Sequence, residues 1–120
     1  MNPEIRTRWV AALRSGDYKQ GWGWLRSGSD EYCCLGVLCE LAVEDGVIAP
    51  PSYSETSDGH SSDAYSYGGK QATPPEPVLE WAGLEHLTIS NEGRTTSLIR
   101  ANDILQWKFD RIADVIEEQL

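Results

Sequence analysis

The stretch Tyr32-Cys33-Cys34-Leu35-Gly36-Val37-Leu38-Cys39-Glu40-Leu41 is the longest apolar run in the chain. In a helical projection it has one continuous apolar face, formed by Cys34, Val37, Leu38, Leu41 and Ala42. Other apolar residues cover most of the remaining surface, so only Glu40, Glu44 and Asp45 are predicted to require water. A helix that is apolar nearly all round is buried by its neighbours. This segment is therefore predicted to be the central core helix, ending at a left-handed Gly46.

The N-terminal flank carries its own start and stop signals. Asn2-Pro3-Glu4 is typical of a helix start, and the apolar stripe that follows it ends at Gly16. Residues 22–26 and 31–33 are separated by Ser27-Gly28-Ser29-Asp30, a sequence typical of a turn. These two segments are predicted to pair as a hairpin that leads directly into the core helix.

The C-terminal flank alternates short elements with turns. Gly83 is predicted to end a short helix at 78–82, and Asn91-Glu92-Gly93 is predicted to be the turn of a second hairpin. A short helix is predicted at 98–102. The last helix has the clearest periodicity, with one apolar face formed by Phe109, Ile112, Ala113, Ile116 and Leu120. The fold class is α+β, with a small antiparallel sheet of hairpins packed on the central buried helix and with N- and C-terminal helices.

Length and composition indicate one soluble domain spanning residues 1–120. A chain of 120 residues can bury a real core, and its three cysteines do not resemble a secreted disulfide framework. No run is long enough for a membrane span, and no signal-peptide core is visible. We therefore predict a cytoplasmic location. Residues 52–73 contain no aliphatic side chain larger than alanine and are predicted to form a flexible or lid-like loop.

The net charge of −9 is unevenly distributed along the chain. Residues 1–40 contain five Lys/Arg and five Asp/Glu, so the remaining 80 residues contain five of the ten bases and fourteen of the nineteen acids. Binding to a phosphate backbone requires Lys/Arg that displace counterions. Direct nucleic-acid binding is therefore disfavoured, although Asn102-Asp103 between two helical segments resembles a helix–turn–helix connection.

The cysteines do not form a convincing metal or catalytic motif. Structural zinc sites use ligand pairs two to four residues apart, and the spacing of Cys33, Cys34 and Cys39 differs from that pattern. A nucleophilic cysteine would need a nearby base, and nothing in the sequence ties His60 to a thiol. We predict that the three cysteines pack in the core, with no metal, no cofactor and no catalytic residue.

The most chemically suggestive segment lies between the first helix and the core helix. Its aromatic faces beside guanidinium groups could hold a base by stacking and a phosphate by paired hydrogen bonds. In the loop, Tyr53, Tyr65 and Tyr67 could close over the ligand, with His60 and Lys70 as polar contacts. The predicted ligand-binding set is Arg14, Tyr18, Gln20, Trp22, Trp24, Arg26, His60 and Tyr65. The alternative is that Trp22 and Trp24 simply pack on the core helix.

Several of these residues belong to a longer motif. The sequence Trp9-Val10-Ala11-Ala12-Leu13-Arg14-Ser15-Gly16-Asp17-Tyr18-Lys19-Gln20-Gly21 is followed by Tyr32-Cys33-Cys34-Leu35-Gly36-Val37-Leu38-Cys39, and later by Asn102-Asp103 and Phe109-Asp110-Arg111-Ile112-Ala113-Asp114-Val115-Ile116-Glu117. This combination resembles a widespread family of small phage and prophage proteins, and does so at both ends of the chain but not over residues 47–86. The resemblance implies a phage origin and the cytoplasm of a host cell, and carries no established activity.

Three functions are compatible with the sequence. The first is a non-enzymatic anti-defence protein that binds a small nucleotide-type immune signal of the host. Sequestering proteins are often symmetric oligomers, and the five tryptophans are compatible with a homo-oligomer. The second is an acidic inhibitor that binds a host protein, such as a nucleic-acid-binding defence effector. The third is a small nucleotide-processing enzyme, which lacks a recognisable catalytic motif.

Overall fold

The computed structural model describes residues 1–54 and 64–120. Within these residues the chain has five helices and three two-stranded sheets, and the predicted α+β class with helices at both termini is confirmed. No helix in this described part is long and apolar enough to cross a membrane. In chain order the elements are α1 (Pro3–Arg14), β1 (Lys19–Gln20), β2 (Glu31–Tyr32), α2 (Cys34–Glu44), β3 (Ser52–Ser54), β4 (Ala64–Ser66), α3 (Glu76–Ala82), β5 (Thr88–Asn91), β6 (Arg94–Ser97), α4 (Leu98–Asp103) and α5 (Phe109–Gln119).

Helix α2 is the predicted core helix, and eight of its eleven residues are buried. Cys33 caps its start, because the Cys33 Sγ accepts a hydrogen bond from the Gly36 N–H at 3.4 Å, and Gly46 with a φ of +73° follows its end. Gly36 lets the helix approach the preceding segment closely, because an added Cβ would lie 1.7 Å from the Leu25 carbonyl oxygen. The prediction that Glu40 requires water is wrong, since only 18% of its side chain is exposed.

Helices α1 and α5 pack against each other at the two ends of the sequence. Asn2 caps α1, and its Oδ1 accepts hydrogen bonds from the N–H groups of Glu4 and Ile5 at 2.9 and 3.2 Å. Trp9 is fully buried and donates through Nε1 to the Cys34 carbonyl at 2.9 Å, which ties α1 to α2. The predicted apolar face of α5 is confirmed at its four buried positions, Phe109, Ile112, Ala113 and Ile116.

The first predicted hairpin is confirmed only near its turn, where Arg26 and Tyr32 form an antiparallel bridge across residues 27–30. Residues 22–25 form no strand, and β1 instead pairs in parallel with β2, Lys19 opposite Glu31. Beside the bridge, the Ser27 N–H donates to the Glu31 carbonyl at 2.8 Å and the Cys33 N–H donates to the Leu25 carbonyl at 3.3 Å. The glycines explain the difference: an added Cβ at Gly21 would lie 2.6 Å from the Glu31 Cβ, and Gly23 has a φ of +89°, so the chain turns away instead of extending. The three sheets are therefore separate, and one of them is not antiparallel.

The remaining short elements follow the predictions closely. Strands β5 and β6 form the second hairpin, and α3 ends at the left-handed Gly83. Part of the predicted 52–73 loop is ordered by pairing, because β3 and β4 are antiparallel with Tyr53 opposite Tyr65. Tyr67 is fully buried, so the interpretation that it closes over a ligand is wrong. The role of the whole segment as a lid stays a prediction.

Candidate functional site

Arg14 is held by two carboxylates of α5. Its Nη2 lies 2.6 Å from Asp114 Oδ1 and its Nη1 lies 3.2 Å from Glu117 Oε2. These contacts join the end of α1 to the last helix. They also raise the pKa of Arg14, and the hydrogen bond to Asp114 contributes more to this rise than the hydrogen bond to Glu117. The guanidinium predicted to bind a phosphate is therefore already neutralised within the chain.

Gln20 and the fully buried Asn102 form a polar tie between β1 and the region of α4 and α5. The Gln20 Nε2 donates to Asn102 Oδ1 at 2.9 Å and to the Trp107 carbonyl at 2.7 Å, while its Oε1 accepts from the Phe109 N–H at 3.2 Å. The Asn102 Nδ2 donates to the Gly21 carbonyl at 2.9 Å. The polar atoms of the Gln20 side chain are thus satisfied internally, which leaves little for a ligand.

Arg26 lies at the centre of a cluster that the sequence did not predict. Its Nη2 contacts Asp30 Oδ1 at 2.7 Å, and its Nη1 contacts Glu40 Oε1 at 3.2 Å. The guanidinium carbon lies 4.1 Å from the centre of the Tyr65 ring and 5.2 Å from that of Tyr32. Burial alone would lower the pKa of Arg26, but the Asp30 hydrogen bond and neighbouring groups raise it above its ordinary value.

The same cluster includes two tyrosines with perturbed hydroxyls. Tyr67 donates a short hydrogen bond to Glu40 Oε1, the oxygen that also faces Arg26. Burial, followed by this hydrogen bond, raises the pKa of Tyr67, and burial raises the pKa of Tyr32 to about 12. The Arg26 guanidinium pairs with the carboxylates of Asp30 and Glu40, and Glu40 also accepts from the Tyr67 hydroxyl, which is typical of a structural network.

The predicted ligand-binding residues divide between two places. Arg14, Tyr18 and Gln20 line an open cleft of about 380 Å³ beside Lys108, and the Tyr18 ring packs edge-on against Tyr32 at 5.2 Å. Arg26 and Tyr65 belong to the cluster described above. Trp22 is 43% exposed, with Lys108 Nζ 6.0 Å from its ring centre, and Trp24 is half-buried. His60 lies outside the described residues. A ligand role for the set stays a prediction.

The polar residues of the longer motif contact one another. Arg14 reaches Asp114 and Glu117, while Gln20 and Gly21 reach Asn102, so the two ends of the motif meet in space. The presence of polar residues that a hydrophobic core does not require therefore has a structural explanation. They fix the contact between the N-terminal third and the last two helices.

The cysteines are buried, as predicted. Burial raises the pKa of the Cys33 thiol to about 12 and also raises the pKa values of Cys34 and Cys39. A thiol held in its protonated form is a poor nucleophile and a poor metal ligand. Among the described residues no group of three or more His, Cys, Asp and Glu side chains could hold a metal ion.

The cavity that stands out chemically lies beside the second hairpin. It has a volume of about 630 Å³ and is lined by Asn91, Glu92, Arg94, Thr95, Thr96, Arg100 and Leu105. Neither Arg94 nor Arg100 has a carboxylate partner within the part of the chain that the structure describes. Over these same residues, Thr96 Oγ1 is the one buried side-chain oxygen or nitrogen without a hydrogen-bond partner.

Sequence reasoning missed this cavity although it placed the surrounding elements correctly. Residues 41–120 contain fourteen acids and five bases, so their net charge does not reveal that two of the bases line one cavity in the fold. A usable signal was present, because Arg94 follows the hairpin turn and Arg100 lies in the helix that directly follows β6. A strand followed at once by a short helix brings such positions to one side of the fold.

Comparison with protein families gave one match over the full chain. A family described as "Domain of unknown function (DUF8296)" matches residues 1–120. Searches of curated proteins and of solved structures gave no match.

Proposed function

The chain belongs to the DUF8296 family of unknown function, and we propose that it is a non-catalytic phage accessory protein that binds and sequesters a small nucleotide-type immune signal of the host. The observation that carries the binding step is the pair Arg94 and Arg100, which face one cavity without carboxylate partners in the described residues. The phage setting rests on the resemblance of the sequence motif, and the anti-defence role is an analogy drawn from that setting.

The lining offers the groups that a nucleotide needs. Two guanidinium groups can each hold phosphate oxygens through paired N–H donors. Leu105, which is 41% exposed, provides an apolar wall for a base or sugar. The side chains of Asn91 and Thr95 add hydrogen-bonding capacity. The volume of about 630 Å³ falls within the range typical of small-molecule sites.

One acidic residue makes the cavity selective. The Glu92 carboxylate belongs to the same lining and would repel a simple polyanion. It can accept a hydrogen bond from a sugar hydroxyl or from an amino group of a base. An anion that also carries donors fits this combination better than inorganic phosphate does.

The composition of the lining favours binding without chemistry. The lining contains no histidine, cysteine or lysine, and among its seven residues Glu92 is the one side chain that could act as a general base. The buried thiols are held protonated, as described above. The cavity is therefore better suited to binding a nucleotide than to converting it.

The test is a thermal-shift screen against nucleotides and cyclic nucleotides, followed by calorimetry on any hit. Arg94→Met and Arg100→Met should each weaken binding at least tenfold while the melting temperature without ligand stays the same. Arg6→Met is the matched control, because Arg6 is also a base without an ion pair in the described residues but lies on α1. Its binding should be normal.

The fate of the ligand separates the alternatives. Mass spectrometry should recover the bound molecule unchanged after the protein is denatured, whereas an enzyme would release a modified molecule. A flat screen together with salt-sensitive capture of one host protein would contradict the proposal and support the acidic inhibitor instead.

A further inference from the structure

The cavity beside the second hairpin is lined by opposite charges that do not neutralise each other. Glu92 lines it together with Arg94 and Arg100. Among the described residues the Glu92 carboxylate forms no salt bridge, either with these two guanidinium groups or with any other base. Opposite charges attract when they are in contact, and here they face one space without meeting. A ligand that is anionic in one part and carries hydrogen-bond donors in another can contact both.

Glu92 occupies a backbone position that disfavours glutamate. The pairing of Asn91 with Arg94 leaves Glu92 and Gly93 as a two-residue turn, and their φ values are +52° and +78°. Such a turn favours asparagine, aspartate or glycine at its first position. Side chains held in sparsely populated backbone conformations are concentrated at sites that bind ligands. The turn itself therefore does not explain the glutamate, whereas contact with a ligand does.

The chemistry of a carboxylate narrows the choice of ligand. Its two oxygens can accept from two neighbouring N–H donors at once. Guanine presents such a pair on one edge, N1–H beside the N2 amino group. Adenine and cytosine present one amino group beside an unprotonated ring nitrogen, and uracil presents one N–H between two carbonyl groups. The guanine edge also lies at the end of the nucleotide that is distant from the phosphates, where a carboxylate is repelled least.

We propose that the ligand of this cavity is a guanine nucleotide, whose base is recognised by Glu92 and whose phosphates are held by Arg94 and Arg100. The inference rests on the proposed function, because it names the nucleotide that the same cavity binds. Leu105 supplies the apolar contact for the base. Each charge of the lining then has a partner on the ligand.

The primary measurement is calorimetric titration with the triphosphates of guanosine, inosine, adenosine and xanthosine, which differ only in the base. The guanosine compound should bind at least about tenfold more tightly than the adenosine compound, which leaves the carboxylate without its two donors. Inosine should lie between them, because it retains N1–H but lacks the N2 amino group. The 2′-deoxyguanosine compound should bind like the guanosine compound. A large loss of affinity on removal of the 2′-hydroxyl would place the ribose at Glu92 and overturn the assignment.

Glu92→Gln tests the recognition of the base directly. The glutamine side chain accepts through Oε1 and donates through Nε2, which matches xanthine, where N1–H lies beside a carbonyl group. The variant should therefore prefer the xanthosine compound to the guanosine compound by at least about fivefold. Glu118→Gln is the matched control, since it makes the same change at an exposed glutamate outside the cavity, and it should keep the wild-type order of affinities. A Glu92→Gln variant that keeps that order would refute the role of Glu92.

Glu92→Asn separates recognition from stability. Asparagine suits the positive φ of this turn, so the melting temperature should rise, while its shorter neutral side chain should remove the preference for the guanosine over the adenosine compound. A purely structural role for Glu92 would produce the opposite result, with a lower melting temperature and an unchanged preference.

The same titrations distinguish this inference from the proposed function. A wild-type protein that binds none of the triphosphates would contradict both. Equal affinity for all of them, weakened in Arg94→Met and Arg100→Met, would support nucleotide binding at this cavity and refute the selection of guanine.

Discussion

The basic side chains of residues 1–40 and those of residues 94–111 differ in what they contact. In the first group, four of five form salt bridges within the described residues, namely Arg8, Arg14, Lys19 and Arg26. In the second group, no base has a carboxylate partner there, and Lys108 and Arg111 instead lie over the rings of Trp22 and Trp107. Most bases of residues 1–40, where acids and bases are equal in number, pair with carboxylates of the same chain. The bases of residues 94–111, which lie in the acid-rich part, remain free of carboxylates among the described residues and can bind an anion.

This difference reverses an inference drawn from composition. The N-terminal segment is predicted to bind a ligand because aromatic rings stand beside guanidinium groups in a part of the chain that is not acid-rich. Arg14 is neutralised by two carboxylates, those of Asp114 and Glu117, and both belong to the acid-rich part of the sequence. Contacts across the fold, and not the local balance of charge, decide which cations can meet a ligand. The N-terminal region is thus expected to govern stability, and the 94–111 region binding.

The largest loss in the free energy of unfolding is expected from Gly36→Ala, in the part of the chain that is expected to govern stability. The added methyl group would lie 1.7 Å from the Leu25 carbonyl oxygen, so α2 must move away from the segment beneath it. Overpacking of this kind costs about 3 kcal/mol or more, and urea unfolding would measure it.

Gly46→Ala is the control for the added methyl group. It meets no atom within 4 Å, although its φ of +73° is strained for alanine, and its cost should be about 1 kcal/mol. Equal losses for the two variants would show that the close approach of α2 to Leu25 is unimportant.

Asn102→Ala should have the next largest effect. The change leaves the buried Gly21 carbonyl without its side-chain donor and removes one of the acceptors of Gln20. An unsatisfied buried polar group costs about 2 kcal/mol in the free energy of unfolding. Denaturant titration would measure the loss.

A double-mutant cycle sharpens this result. Gln20→Ala combined with Asn102→Ala should cost less than the sum of the single changes, because both variants disrupt the same tie. Strictly additive losses would mean that the two side chains act independently and that the tie does not join the two ends of the chain.

Alkaline pH should lower the free energy of unfolding, because the Cys33 thiol and the Tyr32 phenol just before α2 are weak acids with raised pKa values. The folded pKa values of Cys33 and Tyr32 are raised, each to about 12, from ordinary values of 9.0 and 10.0. The unfolded chain therefore releases these protons first, so the stabilisation is complete below pH 9 and is lost progressively as the pH rises from 9 to 12. The free energy of unfolding should be measured across that interval.

Cys33→Ser isolates one contribution to this pH dependence. A serine hydroxyl can still accept the Gly36 N–H at the start of α2 but does not titrate in this range. The variant should lose less stability than the wild type between pH 9 and pH 12. An unchanged slope would assign the alkaline loss to other groups.

Local sequence signals were sufficient for most of the helices and for the second hairpin. The Asn2 cap, the Gly83 stop and the apolar spacing of α5 each depend on residues a few positions apart. The same is true of the turn at Asn91-Glu92-Gly93. These elements could be predicted because their causes lie within the elements themselves.

The first hairpin and the candidate site depended on contacts between distant residues. Gly21 approaches Glu31 and the Asn102 side chain, and Arg26 meets Glu40 of the core helix. Helical periodicity placed Glu40 among the residues that require water because it could not show which segment would cover it. The cavity between Arg94 and Arg100 was missed for a related reason, since charge counts contain no information on pairing.

The smallest changes in stability are expected from Arg14→Met and Arg94→Met. Together these two variants test the difference between the two groups of bases most directly. Arg14→Met removes two exposed salt bridges, so the melting temperature should fall slightly, and this fall should diminish as salt is added. Arg94→Met removes a cation without a carboxylate partner in the described residues, so the free energy of unfolding should stay within about 0.5 kcal/mol of the wild type while nucleotide binding weakens at least tenfold. Calorimetric titration beside thermal unfolding measures both quantities on the same samples. If Arg14→Met abolished binding and Arg94→Met lowered stability, the roles assigned to the two groups of bases would be reversed.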